Sequence, residues 1–325
     1  MEPILKVVGL NKEFKLRKSK LGEAQKILHA VSGVDLVLYK GETLGIIGES
    51  GCGKSTLGRC LVRLHQATSG KILLHGADIN EMKGQPLKEL RKEIQMIFQD
   101  PYSSLNPRKT AGETIEEPMI VHNLLTKPER KARVCSLMNE VGLSESHIHR
   151  YPHEFSGGQR QRINIARALA LDPEILVCDE PVSALDVSVQ AQVLNLLNNL
   201  QKQHELTMVF ISHDLSVIKH VSDRIVIMYL GRVVEQCSAG EIYTDAKHPY
   251  TQALLSAIPP ESPFEKNNQI KLTGEIPSPI GEQIGCPFAS RCLYVMDKCR
   301  KVTPNLTQVA KDHLVACYLY DNPEN

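Results

Sequence analysis

The sequence has no excess of charge of either sign. Its 325 residues carry 38 Lys and Arg against 37 Asp and Glu, a net charge of +1. General DNA- and RNA-binding chains carry a strong basic excess, so no nucleic-acid partner is expected. The basic run Lys15–Lys20 reads as a solvated hairpin. Long hydrophobic runs are also missing. None approaches the roughly 18 residues that span a bilayer. The best, Leu206–Ile211 and Ile225–Leu230, are strand-length. Met1-Glu2-Pro3 lacks the charged-then-apolar start of a signal peptide. The expectation is a cytoplasmic chain, peripheral at any membrane it serves. Hydrophobic residues at 42% and charged residues at 23% exclude global disorder.

What is present changes character along the chain. Residues 1–257 alternate apolar strands with helical patterns. Strands are expected at Thr43–Ile47, Ile94–Phe98, Ile175–Cys178, Met208–Ile211 and Ile225–Tyr229. Helices are expected from Lys54 and over Lys127–Val141, Arg160–Leu171, Val187–Gln203 and Leu215–His220. This alternation predicts a parallel α/β sheet with a helical insertion at about 100–171. Between Ile258 and Pro287 stand prolines 259, 260, 263, 277, 279 and 287. Proline blocks helix interiors and ladder bonds, so residues 258–285 read as a linker. Of nine cysteines, four (Cys286, Cys292, Cys299 and Cys317) crowd into the last segment, 286–325.

Gly48-Glu49-Ser50-Gly51-Cys52-Gly53-Lys54-Ser55 matches G-x-x-x-x-G-K-[ST] and lies between an apolar strand and a helix. Glycines let successive N–H groups turn inward around an anion, and the helix N-terminus adds its positive dipole end. Lys54 can reach β- and γ-phosphates, and the Ser55 hydroxyl can ligate Mg²⁺. The strand ending in Cys178-Asp179-Glu180 offers an Asp for Mg²⁺ and a Glu to take a proton from an attacking water. Cys52 and Cys178 read as small packing residues.

Phe155-Ser156-Gly157-Gly158-Gln159-Arg160-Gln161-Arg162 resembles the LSGGQ signature of ATP-binding cassette (ABC) ATPases, with Phe155 in the first position. Further elements follow the family's order. Gln99 resembles the Q-loop glutamine, Ser183-Ala184-Leu185-Asp186 the D-loop, and His213 the switch histidine. Phe14 stands where an aromatic stacks on adenine. The resemblance implies an ABC-type P-loop ATPase. Its RecA-like parallel core carries an antiparallel β subdomain, a helical subdomain and a small irregular Cys-rich end. It implies ATP contacts from Phe14, Gly48, Ser50, Gly51, Cys52, Gly53, Lys54, Ser55, Thr56, Gln99 and Asp179. Ser156, Gly157, Gly158, Gln159, Asp186 and His213 complete that set. Mg²⁺ falls to Ser55, Gln99 and Asp179, and catalysis to Glu180, His213 and Gln99. The signature of one subunit closes on the ATP of its partner, so the chain is expected to work as a pair.

Phe98-Gln99-Asp100-Pro101-Tyr102-Ser103-Ser104-Leu105-Asn106-Pro107-Arg108 and His248-Pro249-Tyr250-Thr251 resemble the oligopeptide, dipeptide and nickel importer ATPases. So does the run from Pro181 to Gln192, and the cysteine tail with it. In that family two ATPase subunits dock on two membrane permeases at the cytoplasmic face. Substrate arrives from an extracytoplasmic binding protein. Four thiolates at 286, 292, 299 and 317 suffice for a tetrahedral zinc or an iron–sulfur cluster. The resemblance implies [4Fe–4S]; a structural zinc and unliganded thiols stay open. Nickel or glutathione could replace peptide as cargo. A soluble ABC ATPase of DNA repair or translation usually carries two cassettes or a long coiled coil, which this chain lacks. A small-molecule kinase leaves Ser156–Gln159 and His213 unexplained.

Overall fold

Continuous apolar runs form strands buried on both faces, as parallel sheets require. The structure, a computed structural model, describes residues 2–16, 25–258, 269–275, 277–281 and 283–321. Residues 17–20 of the basic run and 259–268, 276 and 282 of the Pro-rich stretch lie outside that set. The chain divides into two compact units.

The first unit holds Pro3–Leu38, Thr43–Asn80 and the chain from Ser212 onward. A four-stranded sheet runs in the order Ile27–Tyr39, Pro3–Lys15, Ser69–Leu74, Ala77–Asp78. Pro3–Lys15 lies antiparallel to Ser69–Leu74, with Leu5 opposite Leu74 and Val7 opposite Ile72. Leu5 and Val7 are buried while Lys6 and Val8 are exposed, so period-two alternation fixes one core face. In the unit's second group of strands, Thr43–Ile47 runs parallel to Arg224–Tyr229. Arg232–Ser238, His313–Val315 and Thr307–Ala310 then add antiparallel neighbours. The segment read as irregular therefore contains two strands and a short helix, Asp297–Lys301. Buried Glu235 ties it down: its carboxylate accepts from Lys247 N (2.6 Å), His248 N (3.0 Å) and His313 Nε2 (2.8 Å). Three donors satisfy a carboxylate that would otherwise be costly to bury.

The second unit holds Tyr39–Glu42 and Glu81–Ile211. Ile94–Ile97, Ile175–Asp179 and Thr207–Ser212 lie side by side and parallel. Its helices are Gln85–Glu93, Ala111–Val121, Lys127–Glu140, Gly157–Leu169 and Val187–His204. Ala111–Val121, Lys127–Glu140 and Gly157–Leu169 each start on a capping box, set by Thr110/Glu113, Thr126/Glu129 and Ser156/Gln159. The last explains why the helix expected from Arg160 begins three residues earlier. The cap at Ser156 outweighs the poor helix propensity of Gly157 and Gly158. Lys127–Glu140 stops because Gly142 takes a left-handed φ of 71°.

Candidate functional site

Strand Thr43–Ile47 delivers the chain into the loop Gly48–Gly53, and helix Lys54–Leu61 leaves it. Gly53 caps that helix at φ 102° without a side-chain acceptor, so no side chain competes for the first-turn N–H groups. The loop admits only glycine at two points. A Cβ at Gly53 would stand 2.0 Å from the Ala30 carbonyl oxygen, and one at Gly48 2.2 Å from that of Met228. Lys54 is 4% exposed, and its Nζ donates to the carbonyls of Gly48 (2.6 Å) and Glu49 (3.0 Å). Its charge thus stays inside the loop. Burial pushes the Cys52 thiol above its ordinary pKa, consistent with a packing residue. Ser55 and Thr56 are half-buried in the first turn.

The same unit carries Phe14 and His213. Phe14 is half-buried, with His65 edge-on at 5.4 Å and the Lys12 ammonium 4.8 Å from its centroid. His213 is exposed in the turn after Thr207–Ser212. Asp214 fixes that turn: its N–H donates to Ser212 Oγ (3.0 Å), and its carboxylate caps helix Leu215–Val221.

In the other unit the acid pair ends strand Ile175–Asp179. Asp179 is fully buried. Glu180 has a left-handed φ of 48° and donates its N–H to the Ile211 carbonyl at 3.0 Å. Gln99 Nε2 donates to Glu180 Oε2 at 3.0 Å. Two residues 81 positions apart, singled out separately in the sequence, thus meet.

Ser156 Oγ accepts from Gln159 N (3.3 Å), and Gln159 Oε1 accepts from Ser156 N (3.0 Å). Phe155 is buried beneath this turn, which suits an aromatic there as well as leucine. Gly158 lies so close to helix Val187–His204 that a Cβ would fall 2.3 Å from Val189 Cγ1. Asp186 caps that helix through Val189 N (3.0 Å) and Ser188 Oγ (2.8 Å); these bonds lower its carboxyl pKa. Val187, beside it, is 82% exposed. Signature and D-loop therefore share one surface of this unit.

Cys286, Cys292, Cys299 and Cys317 line one narrow pocket, with Phe288, Met296, Tyr318 and Leu319. The Cys286 N–H donates to the Cys299 carbonyl at 2.7 Å. The Cys292 sulfur accepts from the main-chain N–H of Tyr294 at 3.4 Å. Among the described residues, three ligating atoms close to within 4.8 Å of one another at Cys237, Glu241 and His313, but not at these four thiols.

Sequence reasoning missed Glu49 and its surroundings. Arg291, one residue before Cys292, bonds the Glu49 carboxylate with both terminal nitrogens, at 2.8 and 3.1 Å. The main-chain N–H of Glu49 donates to Tyr250 Oη at 2.9 Å. The available signal was a carboxylate within an anion-binding loop, a charge of the wrong sign that calls for a cation.

Residues 31–183 match the family described as ABC transporter, and residues 234–299 the oligopeptide/dipeptide transporter C-terminal region. The chain is 51% identical over 322 residues to the oligopeptide transport ATP-binding protein AppF of Bacillus subtilis, which covers 98% of both chains. It is 47% identical over 324 residues to the dipeptide transport ATP-binding protein DppF of Escherichia coli, covering 100% of this chain and 96% of that one. A dimeric ATP-binding cassette in a post-hydrolysis state, bound to ADP and phosphate, matches with a TM-score of 0.64. It is 31% identical over 72% of this chain and 98% of that one.

Proposed function

This chain belongs to the ABC transporter family of ATP-hydrolysing transport enzymes, and from that premise we propose that it is the ATPase subunit of a di- or oligopeptide importer. The observation that carries the reading is its full-length similarity, cysteine segment included, to peptide transport ATP-binding proteins. No helix among the described residues is long and apolar enough to cross a membrane. In this reading, which rests on the similarity to transport ATP-binding proteins, the subunit works from the cytoplasmic face, on two permeases. A second ATPase subunit pairs with it, and an extracytoplasmic binding protein delivers the peptide through the permeases. The test is the complex reconstituted in liposomes. Peptide-loaded binding protein should stimulate ATP hydrolysis; stimulation by nickel or glutathione alone would reassign the cargo.

The residues divide the chemistry. The N–H groups from Gly48 to Thr56 cradle the phosphates, and Lys54 leaves its carbonyl partners for the β- and γ-oxygens. Phe14 stacks on adenine. Mg²⁺ falls to Ser55, Gln99 and Asp179, and when bound it neutralises charge on the β- and γ-phosphates. Glu180 takes the proton of the attacking water, and its bond from Gln99 holds the carboxylate in place. His213 contacts the γ-phosphate. Ser156, Gly157, Gly158, Gln159 and Asp186 serve the ATP of the partner subunit.

The four tail cysteines hold a [4Fe–4S] cluster in this reading. Convergence on one pocket and the Tyr294 N–H donor to the Cys292 sulfur support it, since hydrogen bonds to the sulfurs tune such clusters. The cluster supplies a cross-link among four chain segments; no step of ATP hydrolysis is assigned to it.

A further inference from the structure

The second residue of the phosphate loop is an acid. Glu49 brings a negative charge to a loop built to receive phosphates, and in isolation it would oppose them. Its carboxylate is engaged by the Arg291 guanidinium in a two-pronged bond of 2.8 and 3.1 Å. Arg291 is 8% exposed, with its Nη1 also 3.3 Å from Tyr229 Oη, so the fork is held rigidly. The main chain of Glu49 is fixed as well, through the Tyr250 hydroxyl. Tyr250 and Tyr229 pack edge to face at 4.6 Å, and Phe288 lies 5.3 and 5.4 Å from their rings. Phe288 and Arg291 both lie between Cys286 and Cys292, and Arg291 N donates to the Phe288 carbonyl at 3.0 Å. The cysteine segment therefore holds one residue of the phosphate loop by its side chain and backs its main-chain anchor.

We infer that Arg291 is a positioning residue of the nucleotide site: it neutralises Glu49 and holds the loop in its anion-accepting shape, so that ATP affinity depends on the folded cysteine segment. The inference rests on the ATPase reading above. Coupling of this kind is reciprocal. A segment that tightens ATP is itself tightened by ATP.

The experiment is a double-mutant cycle on the full-length chain, purified anaerobically, with Kd measured for ATP in the absence of Mg²⁺. Arg291→Gln should weaken ATP binding by about tenfold or more. In the Glu49→Gln background the same change should alter Kd by less than about twofold, because the charge it left uncompensated is gone. A residue that merely braced the tail would weaken binding equally in both backgrounds, and that result overturns the inference. No weakening in either background overturns it too. Arg291→Lys keeps the charge but not the fork and should fall between, and it covers the case in which Arg291→Gln fails to fold. A second arm follows iron loss to a chelator: ATP should slow it in the unaltered chain and not in the Arg291→Lys variant. Absence of iron from the unaltered chain would sink the cluster assignment while leaving the cycle readable. Absence of ATP binding by the unaltered chain would sink the ATPase reading itself.

Discussion

Glu180 sits at φ 48°, a backbone region that costs a non-glycine residue roughly 1–2 kcal/mol. The Ile211 carbonyl at its N–H and the Ser183 hydroxyl at its carbonyl (3.1 Å) hold it there, so the carboxylate projects from a rigid point. Glu180→Gln keeps that backbone and removes the base. Hydrolysis by the reconstituted complex should fall about 100-fold or more, with ATP affinity within about threefold of the unaltered chain. Activity within tenfold of the unaltered complex would remove Glu180 from that role. Lys54→Ala should act the other way round and lose nucleotide affinity itself, read by titration with labelled ATP. Glu180 and Lys54 stood out in the sequence because their motifs fix residue type and order. The strained backbone of Glu180 and the salt bridge at Glu49 did not. Both depend on chain segments that no local pattern connects.

Between elements, the tightest approach near the signature is Gly158 against the β-branched Val189, whose rotamer is stiff within helix Val187–His204. Gly158→Ala should displace the signature turn. The expected result is unchanged ATP affinity with hydrolysis about tenfold lower or worse. Adding Val189→Ala makes room for the new methyl and should recover part of the loss; no recovery would show that the cost is not steric. Phe288 tests the other end of the chain. It is fully buried against Tyr229, Tyr250 and His248, so Phe288→Ala should cost about 3–5 kcal/mol. A thermal melt reads this as a lower midpoint, and an unchanged midpoint would deny the tail its place in that core. The strands at Thr307–Ala310 and His313–Val315 escaped the sequence reading because they are only four and three residues long, and pairing in series onto Arg232–Ser238 makes them strands.

For the molecule as a whole, the cluster assignment makes an elemental prediction: about four irons per chain and no zinc in anaerobic preparations. Replacing Cys292 with Ser should empty the site, whereas zinc in place of iron would favour a single tetrahedral ion. The α/β architecture of residues 1–257 was readable because strand–helix alternation and the motifs agreed. The attachment of the tail was not, since prolines mark a break in pattern without saying where the chain returns. A final consequence follows from where the two glycine turns lie. The phosphate loop belongs to one compact unit of the chain and the signature to the other. On the proposal that the signature serves the neighbouring subunit, lesions at the two turns differ in whose work they spoil. A Lys54→Ala copy should lose its own ATP and still offer its signature to its neighbour, while a Gly158→Ala copy should keep its own ATP and fail its neighbour. In genetic language, the first defect is recessive within the pair and the second is imposed on the partner. Subunits carrying one lesion each should complement or clash according to which chain bears which.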